Sequence, residues 1–431
     1  MLLTEDRFPG FCSRGYVFDV PLDYSQPSGA TVSIFAREIV SLDHSPGKIA
    51  ELPWLVFLQG GPGFPSPRPE SLTGWLKRAV LEYRVLLLDQ RGTGLSTAVT
   101  HESLAVFSSP QAQMDYLKHF RADNIVRDCE YLRRQLCGDK PWAVLGQSFG
   151  GFCLTTYLSL APEGLSAALI TGGLPPLVDD ADEVYRRTYK EVIKKNKIFY
   201  ERYPGDAPKV CGIVEYLREN EVRFSSSELL SAERFLQIGL NFGFRSSGGS
   251  MNTIHYLLEE LPPKALVSKL SYAFLNNVEK QLHFNTNPIY ALLHEAIYCQ
   301  RRASNWSAQR LMAEFAEFQP EHRPIYFTGE MIYPWMFDQY SCLKPLKQAA
   351  ELLAAYDEWP QLYDHAVLRA NKVPCVASIY CDDMYVSREL AEQTASRIGG
   401  LKTWITNEYE HDGLRESGEV VLDKLLLLLK S

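Results

Sequence analysis

Trp142-Ala143-Val144-Leu145 runs directly into Gly146-Gln147-Ser148-Phe149-Gly150-Gly151, and Phe149 to Leu160 continues with helical patterning. An apolar strand, a small-residue turn centred on serine and a helix follow one another without a gap. The G-x-S-x-G spacing is that of a nucleophile elbow. Small residues two before and two after the serine leave room for a sharp strand-to-helix turn. The serine hydroxyl then stands exposed at the tip, and the amide after it points at the same reacting atom. Ser148 is therefore read as a nucleophile.

The neighbouring segments agree with a parallel sheet. Trp54-Leu55-Val56-Phe57-Leu58, Val85-Leu86-Leu87-Leu88 and Ala167-Ala168-Leu169-Ile170 are short and wholly apolar. Such runs fit central strands buried on both faces. Tyr16 to Leu22 and Thr31 to Val40 read as earlier strands, separated by the turn-rich Ser25-Gln26-Pro27-Ser28-Gly29. Asp123 to Leu136 reads as an amphipathic helix. The alternation predicts an α/β fold built on a mostly parallel, doubly wound sheet.

From about Leu177 to about Tyr340 the short apolar runs disappear. Aromatic and charged residues mix at helical spacing in Asp182 to Arg202, Glu228 to Leu240 and Ser307 to Phe318. Strand signals return with residues 373–380 and Thr403-Trp404-Ile405-Thr406, and a last helix follows from about Glu416. The expected organisation is a core over residues 1–175, an inserted, mainly helical cap over 176–342, and the rest of the core over 343–431.

Composition narrows the function. The chain has 431 residues, 46% hydrophobic and 22% charged, enough for a large core. A net charge of -8 argues against a nucleic-acid surface. No apolar run approaches the ~18 residues of a membrane span, and the leucines from Leu425 to Leu429 fit a terminal helix packed on the sheet. The start, Met1-Leu2-Leu3-Thr4-Glu5-Asp6, lacks the pattern of a signal peptide. Nine cysteines without C-x-x-C spacing read as free thiols in a reducing cytoplasm, and no metal-ligand spacing is present. His294-Glu295 begins like H-E-x-x-H, but Tyr298 fills the second histidine position.

A serine nucleophile needs a base, and the base an orienting acid. His411 is the one histidine beyond the last expected strand. Asp382 and Asp383 both follow the strand ending near Tyr380, and either can serve as the acid. Two backbone amides must hold the oxyanion. Phe149 offers one; Gly60 or Gly61, in Gln59-Gly60-Gly61-Pro62-Gly63 after an apolar strand, offers the other. The loop Asp89-Gln90-Arg91-Gly92-Thr93-Gly94-Leu95-Ser96 lacks the third glycine of a dinucleotide site and is expected to buttress the Gly60 loop.

These pieces together resemble the prolyl aminopeptidases (proline iminopeptidases) of the α/β-hydrolase superfamily. The resemblance rests on Gly60-Gly61-Pro62-Gly63, Asp89 to Ser96, Gly146 to Gly151, Asp383-Met384 and His411, which span almost the whole core. It is closest to the longer branch of that family, through Asp382-Asp383-Met384-Tyr385-Val386 and Asn407-Glu408-Tyr409-Glu410-His411. It implies an α/β-hydrolase fold and a Ser148-His411-Asp383 triad. Where the family's glycine loop usually begins with histidine, Gln59 stands here.

The resemblance also implies release of an amino-terminal residue, preferentially proline, from short peptides with a free amino terminus. Neither metal nor cofactor is required. The charged imino group of such a substrate calls for carboxylates in the cap. Glu295, an acid within a largely apolar stretch, is the first candidate, and Glu330, among aromatic neighbours, the second. Trp335 and Phe337 are candidate walls of a pyrrolidine pocket, or else core. A carboxylesterase or amidase, an aminopeptidase of different specificity, and a non-catalytic ligand-binding relative are the competing readings. Partner subunits leave no signal in the sequence.

Overall fold

In the computed structural model, the described residues are 1–245, 249–261, 269–281 and 284–431. Among them, nine strands form one sheet: β1 (Leu2–Phe8), β2 (Phe11–Pro21), β3 (Thr31–Ser41), β4 (Trp54–Leu58), β5 (Arg84–Leu88), β6 (Trp142–Gln147), β7 (Leu165–Thr171), β8 (Cys375–Tyr380) and β9 (Leu401–Thr406). Their spatial order is β1-β2-β3-β5-β4-β6-β7-β8-β9. The first three pair antiparallel, and β3 meets β5 antiparallel; from β5 through β9 every pairing is parallel.

Alternation along the central strands builds two cores. Trp54, Val56 and Leu58 face one side with Val144 and Ile170, against Ile125, Val126 and Cys129 of the helix Ala122–Cys137 and Leu154 and Leu158 of the helix Phe149–Leu160. Leu55 and Phe57 face the other side with Leu145 and Leu169, against Leu76 of the helix Gly74–Ala79 and Val421, Leu422, Leu425 and Leu426 of the helix Gly418–Lys430. Both faces are covered, which explains the unbroken apolar runs at the heart of these strands. The carboxyl-terminal leucines pack on the sheet as expected, with Leu427 turned to solvent.

The helix Ala122–Cys137 stops where Gly138 adopts φ 62°, a conformation glycine takes without strain. Strand β8 begins at Cys375, because Pro374 before it has no N–H to donate. Strand β1 was not expected. Its Leu2-Leu3-Thr4-Glu5-Asp6-Arg7-Phe8 is almost wholly exposed and pairs only with β2, so no apolar run marks it.

Between β7 and β8 the described chain is mostly helical. The helix Asp182–Arg202 matches the expectation and buries Val184, Tyr185, Thr188, Tyr189, Val192, Phe199 and Tyr200 along one stripe. The segment 228–240 is helical only over Ala232–Leu236 and tightens into a 3-10 turn over Gln237–Gly243. The segment from Ser307 likewise gives the helix Ser307–Leu311 and two 3-10 turns. Among the described residues no helix is long and apolar enough to cross a membrane.

Candidate active site

Strand β6 delivers Ser148 to the mouth of the sheet with φ 53° and ψ -124°. A non-glycine residue there is strained, and the strain persists only where the surroundings fix it. The Ser148 N–H donates to the Thr171 carbonyl at 3.1 Å, and the Gly151 N–H donates to the Ser148 carbonyl at 2.7 Å. A Cβ at Gly146 would collide with the Gly150 backbone, and one at Gly150 with the Leu58 carbonyl. That is the physical content of the G-x-S-x-G pattern. Gly173 performs the same service from the end of β7, where its own Cβ would strike the Ser148 carbonyl. Sequence reasoning did not single out Gly173; its signal is the Gly172-Gly173 pair directly after an apolar strand.

The glycine loop after β4 lies against the serine. A Cβ built on Gly60 would stand 2.9 Å from the Ser148 Cβ and 3.5 Å from its Oγ. Gly61 takes φ 141°. The Phe149 amide opens the helix Phe149–Leu160, at the end that carries the positive pole of the dipole. The neighbouring loop does brace this one, through Gln90, whose Nε2 donates to the Gln59 carbonyl at 2.9 Å. Asp89 and Arg91 hold the bracing loop itself. Buried Asp89 accepts from the Ser66 and Leu95 N–H groups and from Arg68. Buried Arg91 donates to Asp128 at 2.7 and 2.5 Å and to the Leu22 and His119 carbonyls.

The two late loops bring an acid and a histidine together. His411 Nδ1 lies 2.7 Å from Asp383 Oδ2. The other oxygen of Asp383 accepts from the Tyr385 N–H at 2.8 Å and the Val386 N–H at 3.0 Å, so the carboxylate is anchored by backbone. Asp382 points elsewhere and pairs with Lys194 at 2.7 Å near the surface. Burial works against a charged His411, but the Asp383 charge and hydrogen bond outweigh it, with Glu330 and Asp412 adding; its pKa is raised. The Tyr385 ring stands edge-on to the imidazole at 4.8 Å.

The helical segment also holds the histidine loop. The Gly243 carbonyl accepts from the His411 N–H at 3.3 Å, and the Arg245 N–H donates to Asp412. Lys195 donates to Glu410 at 2.6 Å. The Tyr385 hydroxyl donates to the Leu240 carbonyl.

Ser148, His411, Gly60 and Gly61 line one cavity of about 310 Å³, roofed by residues between β7 and β8. Glu330 lines it too, and its Oε1 accepts from the Tyr290 hydroxyl at 2.6 Å. Among the described residues Glu330 enters no salt bridge, and it is the sole carboxylate on the cavity wall.

The other binding candidates stand elsewhere. Glu295 is buried outside that wall, and its two oxygens accept from the Ser307 and Ala308 N–H groups at 3.1 and 2.9 Å. It caps the helix Ser307–Leu311; burial raises its pKa against the pull of those amides. Trp335 stacks on Tyr333 at 5.9 Å and lines a separate cavity. Phe337 is buried against Trp306. The aromatic walls beside Ser148 are instead Phe64, Phe244, Phe284, Tyr290 and Tyr385. Tyr290 and Tyr385 lie within stretches the sequence had marked, but no local pattern turns a ring toward a distant serine.

The family description alpha/beta hydrolase fold matches residues 53–202. A protein of Aeromonas sobria named proline iminopeptidase is 46% identical over 421 residues, covering 97% of this chain and 97% of that protein. Another from Aspergillus aculeatus, named proline iminopeptidase aneH, is 38% identical over 440 residues, covering 98% and 96%. A bromoperoxidase structure from Bacillus anthracis aligns with TM-score 0.43 at 14% identity, over 96% of this chain and 100% of that one. On the two near full-length relatives, this α/β-hydrolase chain belongs to the proline iminopeptidase family.

Proposed function

We propose that the protein is a serine aminopeptidase that releases an amino-terminal residue, proline by preference, from short peptides. Ser148 Oγ attacks the carbonyl carbon of the first residue. His411 takes the hydroxyl proton and then protonates the leaving amine. Asp383 holds the imidazole through Nδ1 and stabilises its charged form. The Phe149 amide and that of Gly61, with Gly60 giving close approach, receive the oxyanion. Water, activated by His411, hydrolyses the acyl-enzyme and restores Ser148. Every step uses groups of the chain and water.

One observation carries the substrate class. Among the described residues Glu330 is a carboxylate in no salt bridge, on the same cavity wall as Ser148 and His411. Leaving such a charge uncompensated is unfavourable, and a substrate ammonium in the cavity compensates it. A simple ester of a neutral acid and alcohol carries no such cation. Glu295, with both oxygens occupied, has no equivalent free valence. The chain is read as core residues 1–175 and 343–431 with a cap over 176–342 that closes the cavity to all but a short, free amino terminus. Nine free thiols support a cytoplasmic setting.

The test is a substrate panel: prolyl, alanyl and leucyl arylamides beside a simple ester. The reading expects the prolyl arylamide to be hydrolysed with the highest kcat/KM. A preferred ester, or no arylamide hydrolysis, would overturn it.

A further inference from the structure

The cavity that holds Ser148 is charged at two places. Glu330 is the sole carboxylate on its described wall, and Arg415 the sole guanidinium or ammonium group. Arg415 sits four residues after His411 on the short helix Gly413–Glu416, whose backbone is fixed by the Arg415 N–H donating to the Asp412 carbonyl at 2.8 Å. The residue is exposed, and among the described residues its guanidinium makes neither salt bridge nor hydrogen bond. Some exposed arginines are paired, as Arg68 is with Asp89, Arg310 with Asp182 and Arg388 with Glu392, and others, such as Arg202 and Arg369, make no salt bridge among the described residues; Arg415 differs from these in standing on the cavity wall. Arg415 is left open toward the cavity even though Glu416 adjoins it.

The cavity is small. At about 310 Å³ it lies at the low end of ligand pockets, which run from ~300 to ~1,000 Å³. A wall that carries one anion and one cation outside any salt bridge, among aromatic and amide side chains, is complementary to a short zwitterion. We infer that Arg415 binds the carboxylate end of the substrate, so that the site reads both termini of a dipeptide or tripeptide. The planar guanidinium fork suits a carboxylate, which it can engage through two parallel hydrogen bonds. This rests on the aminopeptidase reading and adds to it a limit on peptide length.

The experiment compares Pro-Gly and Pro-Gly-Gly with their carboxamides, at matched pH and low salt, on the full-length protein. In the wild type, at least one length should show kcat/KM about fivefold higher for the free acid, chiefly through KM, a factor suited to an exposed charge pair. The ratio should fall toward one as salt rises. Arg415→Gln should bring the ratio to about one at low salt, and Arg415→Lys should keep part of it. Equal rates on acid and amide at both lengths in the wild type, or an undiminished ratio in Arg415→Gln, would overturn the inference. The wild-type comparison decides the matter even if a variant fails to fold. A wild-type protein that cleaves prolyl arylamide but shows no acid preference defeats this inference alone; one that cleaves no prolyl substrate defeats the underlying reading with it.

Discussion

Lys195 Nζ stands 2.6 Å from Glu410 Oε2, and the two side chains are almost shut off from solvent. The contact ties the helix Asp182–Arg202 to the residue directly before His411. Breaking a buried pair strands one charge, which costs more than the pair itself contributes. Lys195→Met should therefore destabilise the protein by about 3 kcal/mol. Adding Glu410→Gln should recover part of that loss, since the two residues share one interaction. Thermal unfolding of the two variants checks both statements.

Asp382 and Asp383 are neighbours with different surroundings. Asp383 bonds His411 and two backbone amides, whereas Asp382 is paired with Lys194 at the surface. Asp383→Asn should lower kcat by about 10⁴-fold, the cost of losing the acid of such a triad. Asp382→Asn should change kcat/KM by less than about fivefold, as expected for an exposed ion pair. Steady-state kinetics on a prolyl arylamide separates them.

The raised pKa of His411 should set the acid side of the pH profile if His411 is the base. A base must be neutral to accept the serine proton, and a raised pKa keeps the proton on His411 to higher pH. The acid limb of kcat/KM should therefore fall above the ordinary histidine value of about 6.5. In Asp383→Asn the largest raising influence is gone, and burial remains against the smaller pulls of Glu330 and Asp412. The limb of the residual activity should then move to lower pH, which a pH–rate profile measures.

Two glycines should respond differently to one added methyl. Gly150→Ala drives a Cβ into the Leu58 carbonyl inside the sheet and should cost about 3 kcal/mol or prevent folding. At Gly60 the methyl meets the Ser148 Cβ at 2.9 Å, at the open end of the elbow. Gly60→Ala should fold and lose at least ~100-fold in kcat. Circular dichroism with kinetics distinguishes the two outcomes.

The limits of the sequence are instructive at particular residues. Strands β4 and β6 are legible because both faces of each are buried, so each shows an unbroken apolar run, Trp54 to Leu58 and Trp142 to Leu145. Strand β1 has solvent around nearly all its residues and leaves no such trace. The elbow and the late histidine are legible because a sharp turn and a chain order constrain residue type. The carboxylate on the cavity wall is not. An acid in an apolar stretch signals burial, but Glu295 satisfies its burial with amides twelve and thirteen residues away, while Glu330 is met mainly by a tyrosine hydroxyl. Only tertiary placement tells a helix cap from a ligand. Similarly, Trp335 and Phe337 advertise an aromatic pocket that is built instead from Phe64, Phe244, Phe284, Tyr290 and Tyr385.

The central claim is that Glu330 reads the free amine of the substrate. Its most direct test is the ratio of kcat/KM for prolyl arylamide to that for N-acetylprolyl arylamide, measured in wild type, Glu330→Gln and Glu295→Gln. The wild type should favour the free amine by at least ~100-fold, as expected when a half-buried carboxylate on the cavity wall would otherwise lose its partner. Glu330→Gln should collapse that ratio by raising KM for the free amine, and Glu295→Gln should leave it largely intact. A wild-type ratio near one, or a ratio that survives in Glu330→Gln and falls in Glu295→Gln, would contradict the account.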